Sequence, residues 1–275
     1  MSVLMVSGTG TEIGKTVVTS AIAAAAVAAG RSVAVLKPAQ TGVGPQEPGD
    51  AAEVVRLAGP SVTAVELVRY PEPLAPDTAA RRSGLATLSP AEIAEAAQRL
   101  SLDHDLVLVE GAGGLLVRFD ESGNTLADAA RLLGAPTLIV AQAGLGTLNS
   151  TTLTAEALRA RELTPLGVVV GSWPKDPDLA ARCNLADLTK SSGLPLLGAV
   201  PEASGTLAPD RFRASAPSWL AAPLSGTWSA ESFLSTWPPP PFTPADANPS
   251  PADPNPTPGD PNPSPAGANP SPAGV

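Results

Sequence analysis

Short apolar runs alternate with longer amphipathic or alanine-rich stretches along the first 200 residues. Strands are predicted at 3–7, 32–36, 106–109, 137–140, 166–170 and 196–200. Helices are predicted at 17–29, 50–58, 89–100, 127–133, 147–161 and 179–191. The helix at 89 has a clear start signal, since Ser89 precedes Pro90 and Glu92 in the pattern of a capping box. Buried apolar strands that alternate with helices predict an α/β fold with a mostly parallel sheet covered on both faces.

Four glycine-rich segments follow predicted strands. They are GTGTEIGKT at 8–16, KPAQTGVG at 37–44, EGAGG at 110–114 and AQAGLGT at 141–147. The second of them opens a predicted loop that extends from Lys37 to Gly49. Because ligands bind outside the carboxyl ends of parallel strands, these segments are where a binding site is expected.

The end of the chain has a different composition. Residues 238–275 hold 15 of the 32 prolines and repeat the pattern NPSPA, with almost no apolar bulk. Such a segment cannot bury enough surface to offset its ordering entropy, so it is predicted to be a disordered, proline-rich tail. The predicted globular domain is 1–237, within which the segment from Ala208 to Trp237 has no clear pattern.

Charge and residue counts exclude several classes of protein. A formal net charge of −9 argues against binding to nucleic acid through phosphate contacts. One cysteine, Cys183, and one histidine, His104, exclude a disulfide scaffold and a cysteine or histidine metal cluster. No apolar run has the ~18 residues of a membrane span, and the apolar helix after Lys15 lacks a basic segment before it. A cytoplasmic protein without a membrane partner is therefore expected.

The segment at 8–16 has the context of a phosphate-binding loop, between an apolar strand and a helix. Backbone N–H groups of such a loop and the helix N-terminus bind phosphate oxygens. Lys15 would contact the β- and γ-phosphates, and the Thr16 hydroxyl would ligate Mg²⁺. The loop is a variant, because Gly8 lies one residue further from Gly14 than in the common pattern.

Three more polar residues belong to the same predicted crevice. Only four of the 17 basic residues are lysines, and one of them, Lys37, follows the second predicted strand, as Lys15 follows the first. Two ammonium groups there would stabilise charge that develops during phosphoryl transfer. Glu110 follows a buried strand and suits a metal ligand or a group that orients water. Asp50 starts a helix, and its residue type fits an N-cap and a metal ligand equally well.

The segments GTGTEIGKT, KPAQTG, VEGAGG and GTLNSTTLT, in this order, resemble the dethiobiotin synthetase family over roughly residues 2–205. The longer loop with Gly8 is also the form found in that family. The resemblance implies a three-layer fold like that of P-loop NTPases, and a homodimer. It also implies an enzyme that uses ATP, Mg²⁺ and CO₂ or bicarbonate to convert 7,8-diaminopelargonate into dethiobiotin. One amine becomes a carbamate, ATP phosphorylates the carbamate, and the second amine closes the ring and expels phosphate.

The resemblance further implies roles for individual residues. Lys15 and Lys37 act on the phosphates and the carbamate, and the Mg²⁺ ligands are Thr16, Asp50 and Glu110. The substrate is contacted by Lys37, Thr41, Leu145 and Asn149, the last two across the dimer interface. The implied nucleotide-binding set comprises Thr11, Glu12, Ile13, Gly14, Lys15, Thr16, Thr41, Glu110, Gly111, Ala112, Gly113, Gly114, Gly171, Pro201, Glu202 and Ala203.

One position departs from the family pattern. Many members have an asparagine that reads the adenine base where this chain has Gly171, so other nucleoside triphosphates are also expected to be used. Two alternatives in related protein classes are a ParA/MinD-like switch ATPase and an amidotransferase-type synthetase. The first is disfavoured because no lysine precedes Lys15 in the loop, and the second because Cys183 has no evident histidine partner.

Overall fold

The computed structural model describes residues 2–242, and alternating strands and helices make up most of them. The strands are β1 (Val3–Gly8), β2 (Val33–Thr41), β3 (Thr63–Tyr70), β4 (Leu106–Gly114), β5 (Thr137–Ala141), β6 (Pro165–Trp173) and β7 (Leu196–Pro201). The helices are α1 (Lys15–Ala28), α2 (Asp50–Ala58), α3 (Pro76–Ser83), α4 (Pro90–Asp103), α5 (Leu126–Leu133), α6 (Thr147–Arg159), α7 (Leu179–Ser192), α8 (Pro209–Ser215) and α9 (Ala230–Thr236).

The seven strands form one parallel sheet in the order β3-β2-β4-β1-β5-β6-β7. Strand β1 lies in the middle, hydrogen-bonded to β4 on one side and to β5 on the other. Because every strand points the same way, the loop after β1 and the last residues of β2 and β4 meet at the carboxyl end of the sheet. This is the end at which the sequence predicts a binding site.

Helices cover both faces of this sheet. One hydrophobic core contains side chains of α4, α5, α6 and α7, among them Ile93, Ala130 and Leu185. The core on the opposite face contains side chains of α1, α2 and α8, among them Ile22 and Leu57. The predicted three-layer α/β architecture is confirmed. The capping box at Ser89 is confirmed as well, since the Ser89 side chain accepts from the Glu92 N–H and the Glu92 side chain accepts from the Ser89 N–H.

Strands β2 and β4 are longer than predicted. The expected loop from Lys37 to Gly49 is wrong in its first part, because β2 continues to Thr41 and its residues are buried as far as Gln40. Strand β4 likewise continues through the glycines to Gly114. Lys37 and Glu110 therefore lie inside strands rather than after them, and their side chains are fixed by the pleat of the sheet.

Strand β3 and helix α3 were not predicted from the sequence pattern. Strand β3 is at the sheet edge, and six of its eight residues are half-buried. Polar residues such as Glu66 and Arg69 are tolerated there, and they interrupt the apolar run that marks a buried strand. Helix α3 has only eight residues, PDTAARRS, with no large apolar side chain among them, so little in the sequence marks it as a helix.

The segment without a clear pattern, 208–237, packs against the α/β domain. Trp219 packs edge-on against Phe212, with ring centroids 5.2 Å apart. Phe233 and Trp237 of the last helical segment pack on Trp173 of β6, at centroid distances of 5.3 and 6.0 Å. Among residues 2–242, no helix is both long and apolar enough to cross a membrane.

The described residues up to Pro239 form one compact unit. Most of the proline-rich segment lies outside the described residues. The boundary between 237 and 238 and the disorder of the tail remain predictions.

Candidate active site

The phosphate-binding loop joins the middle strand to the first helix. Helix α1 begins at Lys15, and Gly14 before it has a φ of 90°, a left-handed conformation that favours glycine. Lys15 Nζ donates to the Gly10 carbonyl oxygen at 2.7 Å, so the side chain folds back over the loop. A Cβ on Gly8 would lie 2.7 Å from Ile13 Cδ1, which shows how closely the variant loop packs on the end of β1.

Gly171, on strand β6, supports this loop from two strands away in the sheet. A Cβ on Gly171 would lie 2.0 Å from the Ile13 carbonyl oxygen, and a Cβ on Gly14 would lie 2.4 Å from the Gly171 carbonyl oxygen. The backbones of β6 and of the loop are thus in direct contact. An asparagine at position 171 could not fit without moving one of them.

Lys37 is the centre of the polar network. Its Nζ lies 2.9 Å from Glu110 Oε1, 2.5 Å from Asp50 Oδ2 and 3.2 Å from the Gly111 carbonyl oxygen. The Lys37 side chain is 5% exposed and that of Glu110 is 1% exposed, whereas that of Asp50 is 36% exposed. One buried ammonium group therefore joins strand β4 to the start of helix α2.

The two lysines have opposite electrostatic environments. Burial lowers the pKa of Lys37, but the Glu110 and Asp50 carboxylates outweigh it, so the pKa is raised above 10.5. For Lys15, burial and the charge of Lys37 hold the pKa below 10.5, and the two carboxylates compensate only in part. An anion that approached Lys15 would relieve this unfavourable environment.

Glu110 has one carboxylate oxygen that is free to bind a cation. Its Oε1 accepts from Lys37 and, at 2.8 Å, from Thr16 Oγ1, while its Oε2 is buried and has no hydrogen-bond partner. A buried carboxylate oxygen without a partner is costly unless a ligand completes it. Mg²⁺ takes one or two carboxylates and fills its other positions with water and phosphate. The hydroxyl of Thr16 and the carboxylates of Glu110 and Asp50 therefore fit this ion. No group of three or more His, Cys, Asp or Glu that could hold a metal is found in residues 2–242.

Asp50 does not act as an N-cap. The capping position is Gly49, which makes no side-chain cap bond, and Asp50 is the first residue of α2. Its backbone N–H donates to Gln40 Oε1 at 2.7 Å, and its carboxylate pairs with Lys37. Of the two interpretations left open by the sequence, the structure excludes capping.

A cavity of about 740 Å³ opens over this network. Most of the predicted phosphate, metal and carbamate residues line it: Thr11, Glu12, Gly14, Lys15, Thr16, Lys37, Thr41, Asp50, Glu110, Ala112 and Gly113. Ile13, Gly111, Gly114 and Gly171 do not line it, and Ile13 is buried behind the loop.

Other predicted residues lie elsewhere. Asn149 lies in the first turn of α6, and Leu145 lies in the segment just before that helix, where it is 81% exposed. Pro201, Glu202 and Ala203 lie at the end of β7, where Glu202 Oε1 accepts from the Lys175 N–H at 2.8 Å. Within the described chain none of these residues lines the cavity.

Sequence reasoning missed one wall of the cavity. The residues concerned are Gln40, Pro73, Leu74, Ala75, Pro76 and Val117. The segment 73–76 follows the strand that was not predicted, so nothing placed it beside β2. Gln40 lies within the motif KPAQTG, for which the sequence predicts a loop, whereas the structure makes it a buried residue of β2.

Comparisons with known proteins show which sequences and folds this chain is similar to. The sequence model of an AAA domain family matches residues 2–209. A protein of Streptomyces avermitilis named ATP-dependent dethiobiotin synthetase BioD is 67% identical over 239 residues, which are 87% of this chain and all of that protein. A protein of the same name from Streptomyces coelicolor is 66% identical over 85% of this chain and 98% of its own length.

Among solved structures, a ParA family ATPase from Chlorobium tepidum aligns with a TM-score of 0.52 at 12% identity, over 82% of this chain and 96% of its own. At that identity the likeness shows the fold alone.

Proposed function

The chain belongs to the family of ATP-dependent dethiobiotin synthetases, and on that premise we propose that it closes the urea ring of dethiobiotin. The substrates are 7,8-diaminopelargonate, CO₂ or bicarbonate, and ATP, and the products are dethiobiotin, ADP and phosphate. The observation that carries the proposal is the buried Lys37 ammonium, held by Glu110 and Asp50 at the mouth of a phosphate-binding loop.

The reaction has three steps, which need no protein nucleophile. One amine of the substrate attacks CO₂ and, on losing a proton, becomes a carbamate. A carbamate oxygen then attacks the γ-phosphorus of ATP, the bond from that phosphorus to the β,γ-bridging oxygen breaks, and ADP leaves. The second amine attacks the carbonyl carbon and loses a proton, the C–O bond to phosphate breaks, and phosphate leaves as the ring closes. The protein contributes position and electrostatics, which are the main terms in phosphoryl transfer.

Lys15 and Lys37 are the proposed catalytic residues. Lys15, with its lowered pKa, gains a favourable partner when phosphate binds beside it. Lys37 remains charged throughout the neutral range, since its pKa is raised, and it can stabilise negative charge on the carbamate and on the transferred phosphoryl group. Thr41 and Thr11 line the same cavity and can hold the amines and the carbamate through their hydroxyl groups.

Mg²⁺ is the proposed metal ion, and it would supply charge neutralisation on the phosphates of ATP. The residues that would hold it are Thr16, Asp50 and Glu110, whose free Oε2 is the strongest single indication. Ala112 and Gly113 line the same cavity, and their backbone would border the phosphates.

The remaining roles follow from the family. Leu145 and Asn149 would contact the substrate carboxylate from a second copy of the chain, so the proposed enzyme is a homodimer. Gly171, Pro201, Glu202 and Ala203 would border the nucleotide base. We propose a cytoplasmic location, where ATP and bicarbonate are both supplied to biosynthetic reactions.

A coupled phosphate-release assay tests this function. Purified protein with Mg²⁺, ATP and bicarbonate is measured with and without 7,8-diaminopelargonate, and dethiobiotin is identified by mass. We expect phosphate release that depends on the diamine. Release that is independent of the diamine, or the absence of dethiobiotin, would refute the proposal and favour a switch ATPase.

A further inference from the structure

A group of polar residues outside the implied catalytic set lies behind Asp50. We call Gln40, Glu66 and Arg69 the loop brace, because they contact the segment 42–49 that leads into α2. Gln40 lies on β2 and Arg69 on β3, and the two are paired in the parallel register, so their side chains share one face of the sheet. Gln40 is buried, and the side chains of Glu66 and Arg69 are 17% and 27% exposed.

Arg69 ties the edge strand to the loop. Its Nη1 donates to the carbonyl oxygens of Gly44 at 3.0 Å and Glu47 at 2.5 Å. Its Nε and Nη2 both donate to Glu66 Oε2, at 3.1 and 2.5 Å. The planar guanidinium thus binds a carboxylate with one edge and two loop carbonyls with the other, an arrangement that a lysine cannot reproduce.

Gln40 and Glu66 fix the end of the same loop. Gln40 Oε1 accepts the backbone N–H of Asp50 at 2.7 Å. A Cβ on Gly49 would lie 2.6 Å from Glu66 Oε1 and 2.7 Å from Gln40 Oε1, so the loop backbone is pressed against both side chains. The chain at Asp50 is therefore held from behind while its carboxylate faces Lys37.

The loop has few means of holding itself. Residues 42–49 read GVGPQEPG and contain no large apolar side chain that could anchor them in a core. Gly42 is fixed by its N–H, which donates to the carbonyl oxygens of Tyr70 and Glu72. Beyond Gly42, the hydrogen bonds described within the loop join Gly44 and Glu47 to each other, so the brace supplies the hydrogen bonds that link this part of the loop to the sheet.

We propose that Arg69 and Gln40 are positioning residues that act through Asp50 by holding the start of α2 where its carboxylate can reach the metal beside Glu110. This rests on the proposed function, in which Asp50 is a Mg²⁺ ligand. Residues that orient a ligand in this way typically change metal affinity about 10-fold or more when they are replaced. The proposal therefore predicts an effect on Mg²⁺ that is separate from nucleotide binding itself.

The test measures ADP binding by calorimetry with and without Mg²⁺, in the full-length protein. Asp50→Asn, Arg69→Met and Gln40→Met are compared with wild type, and Arg131→Met, which removes a surface pair with Asp128, is the matched control. We expect Arg69→Met and Gln40→Met to reduce the Mg²⁺-dependent gain in ADP affinity about 10-fold. ADP affinity without Mg²⁺ should stay within about twofold of wild type, and Arg69→Lys should not restore the gain.

A double-mutant cycle decides whether the brace acts through Asp50. The Arg69→Met, Asp50→Asn double variant should lose no more of the Mg²⁺ effect than Asp50→Asn alone, because coupled residues are not additive. The proposal would be overturned if the double variant lost the Mg²⁺-dependent gain in ADP affinity by the product of the two single losses, or if Arg69→Met left that gain unchanged. If Arg69→Met does not fold, as shown by thermal unfolding, the same cycle with Gln40→Met decides in its place. The titration needs no diamine, so its outcome is separate from that of the dethiobiotin assay.

Discussion

Lys37→Met separates the two roles assigned to this ammonium, in stability and in turnover. The replacement keeps an unbranched side chain of similar length and removes the charge. Glu110, 1% exposed, would keep only the Thr16 hydroxyl as a partner for its carboxylate. Breaking a buried pair by removing one partner costs about 3–5 kcal/mol, because the other charge stays buried. For a domain of this size, that corresponds to a fall in Tm of about 6–20 °C.

The same variant should lose turnover while it continues to bind ADP. Removing one preorganised electrostatic group reduces kcat by about 10²–10³. Lys15 and the phosphate-binding loop are unchanged, so ADP affinity should remain within about threefold of wild type. Because the pKa of Lys37 is raised, its contribution is fully present below pH 10.5 and is lost only as the pH rises through the higher folded-state value. Assays at neutral pH therefore measure the whole effect.

Three measurements are needed: thermal unfolding, diamine-dependent phosphate release and ADP calorimetry. Lys190→Met is the control, since Lys190 makes an exposed pair with Asp187 that should contribute little. Full turnover in Lys37→Met would refute the catalytic role. An unchanged Tm would refute the assignment of a stabilising buried pair.

Three further predictions concern the loop, its lysine and the end of the domain. Gly171→Ala should weaken ADP binding and lower the free energy of unfolding by about 1–3 kcal/mol through overpacking. Gly144→Ala is the control, because a Cβ at that position meets open space, and it should leave both quantities unchanged. Calorimetry measures ADP binding, and thermal unfolding measures stability. The pKa of Lys15 is lowered below 10.5, and ADP affinity should fall by up to about tenfold per pH unit as the pH rises through it, because binding then takes up a proton. A flat pH profile of ADP affinity in the wild type, or a falling profile in Lys15→Arg, would contradict this prediction. A chain that ends at Pro239 should keep the Tm and specific activity of the full chain, whereas a chain cut before Ala230 should lose about 3 kcal/mol or more through removal of the aromatic side chains packed on β6.

Much of the fold could be predicted because most strands are buried on both faces. Such strands are short continuous apolar runs, and their alternation with helices leaves one class of sheet. The exception is β3, whose edge position lets Glu66 and Arg69 replace apolar residues. The loss of that strand from the prediction also hid segment 73–76, which forms a wall of the cavity.

The chemical core of the site could be predicted because each residue stands in a recognisable motif. Lys15 and Thr16 follow a glycine loop, and Lys37 and Glu110 belong to segments at one edge of the sheet. Contacts that depend on tertiary distance could not be predicted in this way. No spacing rule indicates that Gln40 accepts from Asp50, or that Arg69 reaches two carbonyl groups of a loop more than 20 residues earlier.

Gly171 is proposed to border the nucleotide base, and its close packing would then limit nucleotide selectivity. From the sequence, its small size suggested that a base-reading side chain had been lost; in the structure, the contact with Ile13 leaves no room for any side chain. Base selection must then depend on backbone groups and on neighbouring segments. A site without a dedicated hydrogen-bonding side chain discriminates between analogues by about 10–200-fold, whereas a dedicated one reaches about 10⁴. We therefore expect kcat/KM for CTP and GTP to lie within about 200-fold of that for ATP, measured by diamine-dependent phosphate release. Discrimination near 10⁴ would mean that another group reads the base and that the glycine serves the packing of the loop alone.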